Sequence, residues 1–185
     1  MIIQKATEAD IDKIENLMQE TYQNMENKDL FVPDDRAFIE RHISKEGFIL
    51  LAKSTEGMEI KMEIKNQLAA FLIVRFPGEA PDNLGQSLHL SADQLRKVAH
   101  MESAVVAPAY RGHHLQQRLL QEAEQILSSM NIIYLMCTID PNNSHSLNNA
   151  KAAGYKIVET VPKYGNRIRT IMCKQVKICS HIKAK

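Results

Sequence analysis

The chain has 185 residues, of which 44% are hydrophobic and 24% charged, with 23 Lys and Arg against 22 Asp and Glu. This composition predicts one soluble globular domain and excludes collagen-like, low-complexity and disordered chains. A net charge of +1 argues against a general nucleic-acid binder, and no apolar run approaches the ~20 residues of a membrane span. The N-terminal segment lacks a signal-peptide pattern, so we expect a cytoplasmic protein with no nucleic-acid or membrane partner.

The chain contains three cysteines, Cys137, Cys173 and Cys179, without a Cys-x-x-Cys pair. An odd number without metal or redox spacing is typical of a reducing compartment. Cys137 and Cys173 lie in apolar stretches, which predicts inert core thiols because apolar surroundings raise the pKa of a thiol. A nucleophilic cysteine is the alternative, and Cys179 is assigned no role.

Hydrophobic periodicity divides the first half of the chain into strands and amphipathic helices. Thr7 and Asp10 form a capping-box pattern before the first helix, and Gly47 is expected to end the second. The nearly continuous apolar run from Gln67 to Arg75 is typical of a strand covered on both faces. The predicted elements are a strand at 2–6, a helix at 8–25, a helix from 33 to about 47, a strand at 48–52, a turn at 54–57 and a strand at 67–75.

Residues 77–98 form an inserted segment whose first half is rich in Pro, Gly, Asp and Asn. Ser91 and Gln94 predict a capped short helix that continues to about Val98. Such insertions often cover a binding cleft, and a plain surface loop is the alternative.

The second half of the chain alternates strands and helices and then ends in two strands. Gly154 is expected to cap the last helix. The elements are a strand at 101–106, a helix at 112–130, a strand at 132–139, a helix at 144–153 and strands at 155–161 and 167–176. This order predicts a mixed α/β domain over residues 1–176 with six or seven strands, followed by a polar tail at 177–185 that we expect to fray.

The most informative segment joins a strand ending at Pro108 to a helix through Tyr110, Arg111 and Gly112. The first N–H groups of a helix have no partner within the helix, and together with the helix dipole they form an anion site. Arg111 adds a positive charge, and Gly112 allows close backbone approach. The segment therefore predicts a site for a phosphate or pyrophosphate.

This segment resembles the signature of the GNAT superfamily of N-acetyltransferases. The order strand, Pro, Tyr, Arg, Gly, Leu, helix matches at residues 104–120, and the opening residues 2–17 resemble the first strand and helix of that family. Asn143, Ser146, Gly154 and Tyr155 match its later N-x-x-[AS] and G-[FY] block. The resemblance extends from residue 2 to about 176, and it implies a mixed, mostly antiparallel sheet flanked by helices.

The resemblance implies acetyl-CoA as co-substrate and no metal. In the family, the strand backbone pairs with the pantetheine arm and the following turn holds the pyrophosphate. The residues that this assigns to acetyl-CoA are Ala104, Val105, Val106, Arg111, Gly112, His113, His114, Leu115, Gln116, Asn143 and Ser146. Asn143 could instead only cap its helix. His113 and His114 do not suggest a metal, because adjacent helical side chains point about 100° apart and no further ligands follow at zinc spacing.

Three residues depart from the family pattern. His114 and Gln116 replace small residues, and Ala150 stands where the family often has a tyrosine proposed to protonate the leaving thiolate. Backbone N–H groups could still bind pyrophosphate, with help from a protonated His114. The alternative is a phosphate pocket that is partly filled by these side chains.

By the same resemblance, Glu102 is the candidate general base, because attack on a thioester requires a neutral amine. His100 is the second candidate, and a strand N–H near Val105 or Val106 could stabilise the oxyanion. Tyr164 is the candidate acid or acceptor-site residue, and Tyr155 could also reach the cleft. The alternatives are a solvated carboxylate for Glu102, a structural His100, a hairpin tyrosine with its hydroxyl in water for Tyr164, and core packing for Tyr155.

The resemblance implies an acetyl-CoA-dependent N-acetyltransferase that acts on a primary amine of a small molecule, peptide or protein. Transfer would be direct, in a ternary complex. The alternative is a non-catalytic CoA-binding or interaction domain with the same fold. Acidic residues in 22–45 and 77–98 mildly favour a cationic amine, although a solvated surface explains them equally well. A homodimer is compatible with the resemblance, since dimers are common in the family.

Overall fold

Seven strands form one sheet in the order β1-β2-β3-β4-β5-β7-β6. The computed structural model describes residues 1–54 and 68–176. All neighbouring strands are antiparallel except β4 and β5, which confirms the predicted fold class. The strands are β1 Ile2–Lys5, β2 Gly47–Lys53, β3 Leu68–Arg75, β4 Val98–Val106, β5 Tyr134–Ile139, β6 Lys156–Lys163 and β7 Arg167–Gln175.

Five α-helices lie within the described residues, together with several short 3-10 turns. The capping box at Thr7 is confirmed, since its backbone N–H donates to the Asp10 carboxylate at 3.1 Å. Across the described ranges, none of the helices combines the length and apolar character that a membrane crossing needs. The helices are α1 Ile11–Gln23, α2 Arg36–Ser44, α3 Ala92–Leu95, α4 Leu115–Ser129 and α5 Ser144–Ala152.

Helices cover both faces of the sheet. The apolar stripe of α4, including Leu119 and Leu127, packs on one face against β2, β3, β4 and β5. The α1 and α2 helices cover the other face over β2 and β3, with Ile14 and Ile39 fully buried. β3 is therefore enclosed on both sides, as its apolar run predicts.

The inserted segment covers the rest of that second face. Leu84 packs with Tyr134, Met136 and Ile171 of β5 and β7, where no long helix lies. No residue of 77–97 lines the cleft described below, so the expectation that the insert covers the cleft is wrong. The insert buries an apolar half of the sheet instead.

Several predicted boundaries need correction. The helix after the Tyr-Arg-Gly turn begins at Leu115 and not at Gly112, because Gly112 and His114 both have positive φ angles, of 82° and 56°. The helix predicted to continue to Val98 ends at Leu95, and Val98 begins β4.

Gly47 opens β2 and does not end α2. A Cβ atom there would lie 1.9 Å from the carbonyl oxygen of Val74 on β3, so the pairing of the two strands requires glycine. The predicted turn at 54–57 beyond Ser54, the first residue of the 67–75 strand and the tail at 177–185 with Cys179 lie outside the described residues.

Candidate active site

A cleft opens where β4 and β5 separate. Their parallel pairing covers only Val98 to His100 against Tyr134 to Met136. Beyond His100, β4 pairs with β3 alone within the described sheet, which leaves its other edge free to hydrogen-bond to a ligand. The cleft between the strands has a volume of about 690 Å³. Its walls come from β4, β5, α4, α5 and the loop between α1 and α2.

A β-bulge shapes the middle of β4. Met101 pairs with Val74 and Ala104 with Leu72, so Glu102 and Ser103 together oppose a single residue of β3. The extra residue lets both side chains face the α2 side: Glu102 meets His100, and Ser103 bonds to Asp34. The bulge thus places Glu102 in the cleft wall and Ser103 directly beside it.

Glu102 lines the cleft and sits between two nitrogen donors. Its Oε1 lies 3.3 Å from Nδ1 of His100 and 3.5 Å from Nη1 of Arg75. Burial opposes ionisation, but the hydrogen bond from His100 and the charge of Arg75 outweigh it, and they hold the pKa of Glu102 below its ordinary value. Glu102 is therefore a carboxylate at neutral pH and a weak base.

His100 links Glu102 to the inserted segment. The backbone N–H of Leu84 donates to Nε2 of His100 at 3.0 Å, so the ring proton must sit on Nδ1 and point toward Glu102. Arg75 makes a second link, with both guanidinium Nη atoms on the Asp82 carboxylate at 2.7 and 2.9 Å. With its acceptor nitrogen occupied, the buried His100 holds Glu102 through Nδ1, which favours the structural alternative for His100.

Asp34 contacts β4 from the loop before α2, next to Glu102 of the cleft wall. Its Oδ2 accepts the hydroxyl of Ser103 at 2.6 Å, and its backbone N–H donates to the sulfur of Met18 at 3.1 Å. Burial, together with the charges of Glu102 and Asp35, raises the pKa of Asp34 to about 6 despite the Ser103 bond. In the sequence, Asp34 is one acidic residue among several, and its contact with β4 leaves no local pattern.

The start of α4 presents a row of free donors. The backbone N–H groups of residues 112–117 have no acceptor within the part of the chain that the structure describes. Positive φ angles at Gly112 and His114 break the helix there, and backbone of this kind forms concave N–H nests in known anion sites. Arg111 lines the adjoining cleft, so the anion site predicted from the sequence has its donors in place.

Gln116 and Asn143 line the cleft, and each forms a hydrogen bond with a residue of α5. The Gln116 side-chain oxygen accepts from Asn149 at 2.9 Å, so this departure from the family pattern connects α4 with α5. Asn143 caps α5 by accepting the N–H of Ser146 at 3.0 Å. Its amide nitrogen has no partner within the described residues, so capping and ligand binding are compatible.

Ala150 and Tyr155 form part of the cleft wall under α5. Tyr155 is 4% exposed, and within the described chain its hydroxyl has no hydrogen-bond partner. The ring belongs to the α4 core, so Tyr155 both packs and borders the cleft.

Tyr164 reaches back from the turn between β6 and β7. Its hydroxyl lies 3.2 Å from the hydroxyl of Thr138, which lines the cleft on β5. Although the residue is 53% exposed, enclosure of the phenol and the negative charges of Glu102, Asp82 and Asp34 raise its pKa. The phenol is thus protonated at neutral pH and is not a free surface group.

The two described cysteines are poor nucleophiles. Burial raises the pKa of Cys137 to about 12 and that of Cys173 to about 11. No group of three potential metal ligands occurs among residues 1–54 and 68–176.

Arg169 is a site residue that sequence reasoning missed. Its guanidinium is buried and donates to Asp140 at 2.6 Å and to the backbone oxygen of Asp29 at 2.8 Å. Asp29 lies in the α1–α2 loop, beside Leu30 and Phe31 of the cleft wall. Arg169 therefore fastens that loop to β7.

Most residues assigned to acetyl-CoA meet at this cleft. Seven of the eleven line it: Ala104, Val105, Val106, Arg111, Gln116, Asn143 and Ser146. Gly112, His113 and His114 form the exposed turn beside it, whereas the Leu115 side chain is buried in the α4 core. Leu115 can therefore contribute its backbone N–H alone.

The fold has counterparts in solved structures. The chain matches the ribosomal-protein-S18-alanine N-acetyltransferase of Escherichia coli with a TM-score of 0.65 at 13% identity, covering 100% of this chain and 99% of that one. It matches yncA of Salmonella typhimurium, solved with its cofactor acetyl-CoA, with a TM-score of 0.64 at 17% identity over 96% and 94% of the chains. At these identities the likeness shows the fold.

A third structure, the ribosomal-protein-alanine N-acetyltransferase of Brucella melitensis, matches with a TM-score of 0.65 at 18% identity over 95% and 100% of the chains. None of the curated proteins compared with the chain matches it. The family model described as the acetyltransferase (GNAT) family matches residues 11–155, most of the chain. The chain therefore belongs to the GNAT family of acetyltransferases, as a GNAT-type N-acetyltransferase.

Proposed function

We propose that this enzyme binds acetyl-CoA in the cleft between β4 and β5 and transfers the acetyl group directly to a primary amine in a ternary complex. The observation that carries the proposal is the combination of a free β4 edge with the row of free N–H groups at residues 112–117. The first suits the amide groups of a pantetheine arm, and the second suits a pyrophosphate.

These two features suit the two ends of one ligand. With the pyrophosphate at the start of α4, a pantetheine arm running along Ala104 to Val106 directs the thioester toward the bulge at Glu102. A backbone N–H near Val105 or Val106 then donates to the oxyanion. The cysteines have raised pKa values, which favours direct transfer without an acyl-cysteine and agrees with a reducing, cytoplasmic setting.

The acceptor enters from the side opposite the pyrophosphate. There the α1–α2 loop and Glu102 line the inner end of the cleft, Tyr164 contacts Thr138 of its wall, and the local charge is negative. Negative charge favours a cationic amine by attraction. Protonated Tyr164 has the right chemistry to return a proton to the CoA thiolate where Ala150 cannot.

Thermal unfolding tests the binding step. Acetyl-CoA and CoA, but not ATP, are expected to raise Tm, since a ligand at about 100 times its Kd adds ~2.7 kcal/mol. Arg111→Ala is expected to weaken this shift. Arg118→Ala, on the exposed side of α4 away from the cleft, is the matched control.

Transfer is tested with benzylamine, spermidine and an unblocked tetrapeptide, with free CoA thiol and acetylated product both measured. A thermal shift with acetyl-CoA and no product from any amine would support the non-catalytic alternative, which the changes at Gln116 and Ala150 favour. No shift at millimolar acetyl-CoA would contradict CoA binding itself.

A further inference from the structure

Asp34 and Ser103 join the loop before α2 to β4, one residue from Glu102 of the cleft wall. The two residues are 69 positions apart, and the Ser103 hydroxyl donates to Oδ2 of Asp34 at 2.6 Å. Ser103 is 5% exposed, so its side chain is fixed by the strand and its surroundings. The bond from the Asp34 N–H to Met18 holds the other end of the residue. The carboxylate is therefore held in one orientation beside the bulge.

The second oxygen of this carboxylate is available. Oδ1 of Asp34 makes no hydrogen bond or ion pair within residues 1–54 and 68–176, and no cation there contacts either oxygen. The charged or titratable groups that face it are Glu102 from β4, Tyr164 from the β6–β7 turn and its neighbour Asp35. α1 contributes only the sulfur of Met18.

Glu102 is in the opposite situation. Hydrogen bonding to His100 and the proximity of Arg75 stabilise its charged form, so it gains little by taking a proton. A general base works best when its pKa is near the working pH. The pKa of about 6 for Asp34 meets this requirement, whereas the lowered pKa of Glu102 does not.

We propose that Asp34, oriented by Ser103, is the general base that takes the proton from the acceptor amine, and that Glu102 attracts the amine without taking that proton. This rests on the proposed function. The amine nitrogen attacks the thioester carbon, and the carbonyl π electrons move to the oxygen. The proton leaves the nitrogen for Oδ1 of Asp34. The oxyanion re-forms the carbonyl as the C–S bond breaks, and CoA departs as a thiolate that takes a proton from Tyr164 or water.

The test is the pH dependence of kcat/KM, from about pH 5 to about pH 9, with the best amine among benzylamine, spermidine and the tetrapeptide. The wild type is expected to lose activity below about pH 6, and this fall is the acid limb of its pH profile. Asp34→Asn is expected to lower kcat by ~10²-fold or more and to remove the acid limb, while the thermal shift with CoA is unchanged. Glu102→Gln is expected to keep the limb but move it to lower pH, because the charge of Glu102 raises the pKa of Asp34.

Ser103→Ala provides a second test, because a purely structural role of Ser103 would leave the pH dependence of kcat/KM unchanged. The Ser103 hydroxyl lowers the pKa of Asp34, so its removal is expected to move the acid limb to higher pH. If Asp34→Asn is too unstable to assay, an unmoved limb in Ser103→Ala overturns the proposal. Asp34→Asn with wild-type rate and limb overturns it while the proposed function stands. A wild type that acetylates none of the amines overturns both.

Discussion

The side-chain amide of Asn149 donates a 2.9 Å hydrogen bond to the side-chain oxygen of Gln116, and this contact joins the first turn of α4 to α5. Gln116 therefore extends across the upper wall of the cleft. The contact explains how a long side chain fits at a position where the family pattern has a small residue.

We expect Gln116→Ala to leave the Kd for CoA within about threefold of the wild-type value, because the backbone N–H of residue 116 is kept and the lost bond is partly exposed. Isothermal titration with CoA measures this. Asn149→Ala, which removes the same bond from the other side, is the matched variant. A weakening of more than about tenfold in Gln116→Ala alone would show that the Gln116 amide itself contacts the ligand.

His114 adopts a left-handed conformation, with φ at 56°. We expect His114→Val to lower the free energy of unfolding by about 1–2 kcal/mol, because a β-branched residue is strained there. His114→Gly is not expected to destabilise the protein, since glycine adopts this conformation freely. Urea unfolding provides the measurement. The control is His113→Val in the same exposed turn, and an equal loss there would contradict the conformational explanation.

Arg169 and Asp140 form a buried ion pair, with exposures of 4% and 7%. Arg169→Met leaves the Asp140 charge buried without its partner, so we expect a loss of about 3–5 kcal/mol in unfolding free energy. Chemical denaturation measures it, with the less buried Arg167→Met on the same strand as control. The double variant with Asp140→Asn should recover part of the loss, and no recovery would argue against an unpaired charge as the cause.

The raised pKa of Asp34 also predicts a stability effect. The folded protein holds the Asp34 proton up to about pH 6, whereas the unfolded chain loses it near ~3.9. The contribution of Asp34 to stability is therefore intact below about pH 4 and falls as pH rises through about 6. We therefore compare the free energy of unfolding of Asp34→Asn with that of the wild type at two pH values. The difference should favour the variant by on the order of 2 kcal/mol more at pH 8 than at pH 4.

Unfolding curves at the two pH values, with Asp35→Asn as the neighbouring control, measure this difference. Equal effects of Asp34→Asn at both pH values would show that the carboxyl titrates normally. If Asp34 is the general base, this gain in stability accompanies the expected loss of kcat, because the buried carboxylate is kept for activity at a cost in stability.

The fold could be predicted from the sequence because its signals are local. The periodicity of α1 and α4, the apolar run of β3 and the Pro-x-Tyr-Arg-Gly turn each lie within a few residues, and the strand boundaries agree within about three positions. The parallel pairing of β4 with β5 follows from the helix that connects them.

The missed features depend on contacts between distant positions. Ser103 meets Asp34 across 69 residues, and Arg169 meets Asp29 across 140. Neither pair produces a periodicity, and the bulge at Glu102 and Ser103 changes which side chains share a face without changing the composition of the strand. The packing of the insert could not be predicted for the same reason, because the apolar half-sheet that it covers is assembled from strands far along the chain.

The short pairing between β4 and β5 divides the sheet into two halves, β1 to β4 and β5 to β7. Within the described residues, β4 and β5 pair at three positions, and α4 and the inserted segment pack across both halves. A ligand that hydrogen-bonds to β4 and lies against β5 would bridge the two strands where they no longer pair with each other. Bound acetyl-CoA would then add contacts between the two halves of the sheet, so that its binding free energy would be lost when either half unfolds.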